Sequence, residues 1–272
     1  MNSMNVEFRS RLVSGKSRRF AASLTLVTLI AALFIPALGA AEAKTPATPP
    51  LRVGVSPIFP PMVFKQGKEL AGVEIDLARA LGDKLGRKVV FVELDWTAQT
   101  EALTGGKIDI IMSSMSVTMA RQSVMNFTRP YLKVGQMALV RREQRYAHSL
   151  GWNITPSTKL AVIKGTTGDF LVQREFPKAK RKAYANGADA ADALKRGRAD
   201  LFIGDSTLVW HLAGTYSAEG LTAIPSLLSE EALAWAVRRG DDDLLGAANQ
   251  FIDGAVQDGT MAKIFRRWMA VE

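Results

Sequence analysis

The chain has 272 residues, 47% of them hydrophobic, with a formal charge of +9 and no cysteine. That apolar fraction supports a packed core and excludes wholesale disorder. The missing cysteine excludes disulfides, thiolate metal sites, thiol nucleophiles and a lipid-bearing cysteine.

Residues 1–43 read as a targeting segment. Arg9, Arg11, Lys16, Arg18 and Arg19 form a basic region, and residues 20–38 then run almost without polarity. Ala41-Glu42-Ala43 offers the small-x-small pattern that signal peptidase accepts. The apolar run is about long enough to span a bilayer, but Pro36 and the small-residue exit favour a cleaved leader and export to the periplasm. Residues 44–50 form a proline-rich spacer, so the fold is expected to begin at Leu51.

Strands and helices then alternate. Leu51–Val55 is β-rich. Within Val73–Leu85, Ile75, Ala78, Leu81 and Leu85 fall at helical spacing and Gly86 supplies the stop. Residues 89–94 read as a strand, 98–103 as a short helix and 108–112 as a third strand. This βαβαβ unit implies a parallel sheet flanked by helices. The pattern recurs with strands at 160–164, 181–185 and 201–204 and helices at 170–176 and 188–194. Extended apolar segments at 135–140 and 234–237 flank the second unit and read as two crossings between lobes. The C-terminal helices at 244–256 and 261–269 then return to the first lobe. The expected division is 51–138 with 234–272 as lobe 1, and 139–233 as lobe 2. The fold class is α/β, each lobe a mostly parallel sheet with helices.

An internal repeat places the site. Glu101-Ala-Leu-Thr-Gly-Gly-Lys-Ile-Asp109 and the apolar run after it align with Asp192-Ala-Leu-Lys-Arg-Gly-Arg-Ala-Asp200 and its own. The alignment puts Ser114 and Asp205 at matching places, just past the carboxyl ends of matching strands. Open α/β sheets bind ligands there.

Three polar clusters sit at such ends. Ser113, Ser114, Ser116 and Arg121 share the stretch 113–121; a guanidinium holds a carboxylate by two parallel bonds, and a capped turn with a solvated arginine is the alternative. Thr166 and Thr167 lie in Lys164-Gly-Thr-Thr-Gly-Asp169 at a helix start, where backbone amides suit an anion; a plain glycine-rich turn is the other reading. Asp205 suits an ammonium group, or caps the helix that follows it. Phe59 and Trp96, each in a strand-exit loop, offer aromatic walls or core packing. The basic segments 174–182 and 195–198 lack the aromatic interleaving of a nucleic-acid surface and read as solvated helix faces, so no nucleic-acid partner is expected. Metal and hydrolytic chemistry find no motif: His148 and His211 are far apart in sequence, and Asp241, Asp242 and Asp243 read as a helix N-terminus. No cofactor is expected.

Taken together, Phe59-Pro-Pro61, Gly72-Val-Glu-Ile-Asp-Leu77, Gly106-Lys-Ile-Asp109, the 113–121 loop, Asn126-Phe-Thr-Arg-Pro-Tyr131, Lys164-Gly-Thr-Thr-Gly168 and Gly204-Asp205 are specific. Over nearly the whole of the expected mature chain, the sequence resembles the bacterial extracellular solute-binding proteins of family 3, which serve polar amino-acid uptake by ABC transporters. The resemblance implies a type II periplasmic-binding-protein fold with two crossing strands. It implies a non-catalytic monomer that hands an amino acid to an ABC permease in the inner membrane. Arg121 resembles the clamp on the ligand's α-carboxylate, aided by amides at Ser116 and Thr167. Asp205, the Ser114 carbonyl and the Ser116 hydroxyl resemble the α-ammonium site. Phe59 and Trp96 match positions that sandwich the ligand side chain. Ser56 stands where binders of cationic amino acids carry aspartate, which implies a neutral ligand. Some relatives of this fold are prephenate or arogenate dehydratases with a catalytic glutamate in the 164–169 loop. Gly168 aligns there, so dehydratase activity is the runner-up, and a ligand-reporting subunit is a third reading.

Overall fold

A computed structural model describes residues 48–145 and 153–269 of the chain. The expected leader, all of the spacer but its last three residues, and His148 lie outside the described residues. Pro49 and Pro50 accept hydrogen bonds from the Arg87 side chain at 2.9 and 3.0 Å, which fixes where the chain enters the first strand.

The first part of the chain contains β1 (Leu51–Val55), the small meander β2 (Ile58–Phe59), β3 (Val63–Gln66) and β4 (Glu69–Ala71), then α1 (Val73–Leu85), β5 (Val89–Glu93), α2 (Gln99–Thr104), β6 (Ile110–Ile111), α3 (Met119–Gln122) and β7 (Asn126–Phe127). Helix α1 buries Ile75, Leu77, Ala78 and Leu81 at helical spacing, and Gly86 ends it at φ 60°. A Cβ on Gly72, just before α1, would lie 2.4 Å from the Met62 carbonyl oxygen, so only glycine lets the helix start so close to the meander.

The chain then crosses through β8 (Leu132–Val134) and builds β9 (Gln136–Arg141), β10 (Lys159–Ile163), α4 (Thr167–Glu175), β11 (Lys180–Tyr184), α5 (Gly187–Lys195), β12 (Leu201–Asp205), α6 (Ser206–Thr215) and β13 (Leu221–Ile224). It returns through β14 (Glu231–Leu233) to β15 (Ala236–Val237), α7 (Asp242–Gln257) and α8 (Thr260–Trp268).

Two five-stranded sheets result, ordered β5-β1-β6-β15-β7 and β11-β10-β12-β9-β13. They are built alike. In each, the first three strands are parallel, the fourth runs antiparallel to the third, and the fifth runs antiparallel to the fourth. The expected parallel pattern therefore holds for the βαβαβ half of each sheet and stops at the returning strand.

The crossings also differ from expectation. Strands β8 and β14 pair antiparallel as a ladder of their own, with Leu132 opposite Leu233 and Val134 opposite Glu231. Strand β9 already lies wholly in the second sheet and β15 in the first. The crossings are thus 132–134 and 231–233, ahead of the apolar segments 135–140 and 234–237. A boundary at residue 138 falls inside β9. The apolar stretches are strands buried on both faces, which is why they read so strongly.

The repeat has a structural cause. The Asp109 carboxylate accepts from the Arg52 backbone N–H at 2.9 Å, and Asp200 accepts from the Lys159 backbone N–H at 2.8 Å. Each carboxylate ties the start of one strand to the start of its neighbour. Burial raises the Asp109 carboxyl, but the Arg52 side chain, at 2.5 Å, and its N–H outweigh burial and hold it below the usual range. Gly106 and Gly197, at φ 74° and 65°, make the matching left-handed turns before those aspartates.

Helices α7 and α8 pack against α1, with Trp268 Nε1 donating to Asp76 at 2.8 Å. Asp241 caps α7 by accepting from the Leu244 N–H at 3.3 Å, so the acidic triplet is a helix start. No helix among the described residues is long and apolar enough to cross a membrane.

Candidate functional site

The candidate residues follow the carboxyl ends of β6 and β12, which hold equivalent places in the two sheets. After β6, Ser114 takes φ 58°, the left-handed region, and donates its N–H to Glu74 Oε1 at 2.8 Å. Thr118 caps α3, its Oγ1 accepting from the Arg121 N–H at 3.2 Å, and so sets where Arg121 leaves the backbone. The Arg121 guanidinium donates to the Ser116 carbonyl at 2.7 Å and stacks over the Trp96 ring at 5.1 Å. Burial lowers the Arg121 pKa, while Asp205 and Glu231 nearby pull it back up.

On the facing side, Asp205 ends β12 and precedes α6, but its side chain makes no capping bond. It accepts instead from Gln136 Nε2 at 2.7 Å. Burial pushes the Asp205 carboxyl up to about 6, with the Glu231 charge adding to the rise and Gln136 and Arg121 opposing it. Thr167 opens α4 and donates its hydroxyl to Glu231 Oε2 at 2.7 Å. Being first in the helix, its N–H has no intrahelical acceptor. Bonds also span the cleft: Trp96 Nε1 donates to the Gly165 carbonyl at 2.9 Å, and the Ser116 hydroxyl donates to Glu231 Oε2 at 2.6 Å.

Ser116, Arg121, Trp96, Thr167 and Asp205 are therefore linked into one cluster through Glu231 and Gln136. A space of about 870 Å³ continues beside Trp96, bordered by Leu94, Thr97, Lys164, Tyr184 and Asn186. Four expected residues behave otherwise. Ser56 borders that space, yet its hydroxyl donates to the Leu94 carbonyl at 2.8 Å and accepts from Gln99 at 2.9 Å, both within lobe 1. Ser113 Oγ accepts from the Ser56 N–H at 2.8 Å. Thr166 caps α4, donating to the Ile163 carbonyl and accepting from Asp169 N–H. Phe59 is buried and meets Trp96 edge to face at 5.1 Å, so nothing fits between the two rings as a sandwich.

Residues the sequence did not single out complete the site. Gln136, at the head of β9 and opposite Asp205 in the ladder, is fully buried and also bonds Thr167 Oγ1 at 3.1 Å and Glu231 Oε1 at 3.0 Å. A Cβ on Gly168 would lie 2.4 Å from its Oε1, so glycine there is the space Gln136 needs. Glu74, fully buried in α1, accepts from Ser114 N–H, Trp235 Nε1–H at 2.9 Å and the Tyr131 hydroxyl. It joins the site loop to the chain beside both crossings. Burial raises Glu74 to about 7 against those three bonds, and burial with the Glu74 charge raises Tyr131.

The family model of the bacterial extracellular solute-binding proteins, family 3, matches residues 51–271. A probable histidine-binding protein of Neisseria gonorrhoeae is 27% identical over 85% of this chain and 88% of its own. Among solved structures, an ancestral arginine-binding protein bound to arginine shares 30% identity at a TM-score of 0.75, covering 82% of this chain and 99% of that one. An ancestral amino-acid-binding protein, a precursor of cyclohexadienyl dehydratase, shares 33% identity at a TM-score of 0.71, covering 80% and 94%.

Proposed function

Because the chain belongs to the bacterial extracellular solute-binding proteins of family 3, we propose that it captures an α-amino acid between its two lobes and delivers it, as an exported monomer, to an ABC permease. The observation that carries this is the hydrogen-bonded run from Arg121 through Ser116, Glu231 and Gln136 to Asp205, which sets a guanidinium and a carboxylate in one cluster. A half-buried guanidinium can hold a carboxylate in two charge-assisted bonds, and a cationic partner stabilises a buried ionised carboxylate; together they fit a zwitterion. The relatives named for histidine and arginine support the same class.

The reading is non-catalytic. In the 164–169 loop, where a dehydratase would need an acid, the one carboxylate is Asp169. It is buried and already bonded to Gly165 N–H at 2.9 Å and to Arg181 at 2.5 Å. Those bonds hold the carboxylate to the turn, which supports the non-catalytic reading. Ser56 borders the space beside Trp96 with its hydroxyl engaged inside lobe 1, and its lack of charge there supports a neutral ligand. A thermal-shift screen against the proteinogenic amino acids and prephenate tests the reading. Ligand at about a thousand times its Kd should stabilise the protein by roughly 4 kcal/mol. Stabilisation by prephenate with turnover, and by no amino acid, would refute it.

A further inference from the structure

Glu231 is the most densely bonded side chain at the cleft and belongs to neither lobe's sheet. It opens the crossing strand β14. Its Oε2 accepts the Ser116 hydroxyl at 2.6 Å from one lobe and the Thr167 hydroxyl at 2.7 Å from the other. Its Oε1 accepts Gln136 Nε2 at 3.0 Å and the Ser229 hydroxyl at 2.8 Å. Four donors therefore converge on one carboxylate, two on each oxygen, which is close to its full acceptor capacity.

The chemistry of the donors matters more than their number. Two hydroxyls on facing lobes, beside a guanidinium, form a carboxylate receptor, and the Ser116 hydroxyl, which the resemblance sets at the α-ammonium, here donates to a carboxylate. Here the carboxylate they hold is the protein's own. Among the described residues no carboxylate lies within ion-pair distance of Arg121, which donates to the Ser116 carbonyl and stacks on Trp96. Ser116 joins β14 directly, through its backbone bridge to Leu233.

We propose that Glu231 is an internal competitor for the ligand's carboxylate, which occupies the Ser116–Thr167 hydroxyl pair and latches the two lobes through it. The inference rests on the amino-acid-binding reading and adds a residue to it. Binding then requires an exchange: the incoming carboxylate takes Arg121 and the hydroxyl pair, and Glu231 turns away with Gln136 and Ser229 still bonded to its other oxygen. A ligand without a carboxylate has no means of displacing it, so the latch screens for that group before any side chain is read. The cost of exchange lowers affinity for every ligand alike, in the manner of a binding-competent state that is only partly populated.

The cysteine-free chain makes the test direct. Spin labels are placed at Glu101→Cys in lobe 1 and Lys180→Cys in lobe 2, both exposed positions, and distances are measured by pulsed electron resonance in ligand-free protein. Glu231→Ala and, independently, Thr167→Val are each expected to lengthen and broaden the distribution. L-arginine, L-histidine and L-glutamine are then titrated singly. Any that binds the parent protein is expected to bind Glu231→Ala roughly tenfold more tightly. Distances unchanged in both variants overturn the latch; weaker binding by Glu231→Ala overturns the competition and makes Glu231 a ligand-holding group. Arg121→Lys separates this inference from the reading beneath it. If that variant still binds the amino acid as the parent does, the site assignment fails. If it loses binding while Glu231→Ala leaves the distances alone, only the latch fails.

Discussion

Replacing Glu74 by glutamine should remove a loss of stability that the parent protein suffers as pH rises from 4.5 to about 7. A solvated glutamate titrates near 4.5, whereas burial raises Glu74 to about 7. Between those values the folded protein keeps a proton that the unfolded chain has released. Stability therefore falls as pH rises through the interval: the contribution is full below 4.5 and lost above about 7. At about 1.36 kcal/mol per pH unit the loss comes to about 3 kcal/mol. Glutamine has no such titration. It has a different fault, because its amide NH2 must face either Ser114 N–H or Trp235 Nε1–H, which the two carboxylate oxygens now accept. One buried donor left unpaired costs about 1–3 kcal/mol at every pH. Glu74→Gln should thus be less stable than the parent at pH 4.5, and should gain on it by about 3 kcal/mol by pH 7.5. Urea unfolding of both proteins at four pH values across that range measures the gap, and the other titrating groups, Asp205 among them, cancel in the difference. Parallel stability curves would refute the argument, since they would mean that Glu74 keeps its solvated titration despite complete burial.

Arg121→Lys should leave the fold intact and weaken amino-acid binding by about 1.5–3 kcal/mol, because an ammonium cannot make the paired bonds; titration calorimetry on the folded variant measures it. Asp205 must be ionised to hold an ammonium group, so affinity should fall as pH drops through about 6, and Asp205→Asn should flatten the profile in titrations at pH 5 and 7.5. Trp96→Phe keeps the ring but removes the bond to the Gly165 carbonyl, and should lower affinity by about 1 kcal/mol, visible chiefly as faster dissociation in stopped-flow. Asp109→Ala leaves the Arg52 backbone donor unpaired at the edge of β1. It should cost about 1–3 kcal/mol in denaturant unfolding without altering ligand affinity.

Legibility followed how strictly a position constrains its residue. The Gly-x-x-Asp repeat was readable because a left-handed turn demands Gly106 and Gly197 and a strand-tying acceptor demands Asp109 and Asp200. Helix α1 announced itself through a buried stripe with a glycine at its end. The crossings did not, because β8 and β14 have three residues each, too few for a period of two to show. Ser56, Ser113 and Thr166 have their hydroxyls engaged by nearby backbone or side-chain groups, which the sequence does not reveal. A hydroxyl at a strand end serves ligand or backbone equally well, and nothing in composition says which acceptor lies nearer. Of the two readings open to Phe59, wall or core, its burial and edge-to-face contact with Trp96 favour the core.

Gln136 and Glu231 show two different kinds of illegibility. Gln136 did leave a mark: Gln-Met-Ala-Leu-Val heads an otherwise apolar run with one amide. A buried amide must find partners, and the antiparallel register sets it opposite Asp205. Glu231 left none. It follows Glu230 in a polar stretch, and alternation along β14 sends one of the pair into the cleft and the other to solvent. Choosing between them needs the register of β14 against β8, which three residues do not encode. The side chain that controls access to the hydroxyl pair is therefore set by tertiary pairing alone, and a one-residue slip of β14 would exchange Glu231 for Glu230 at the latch.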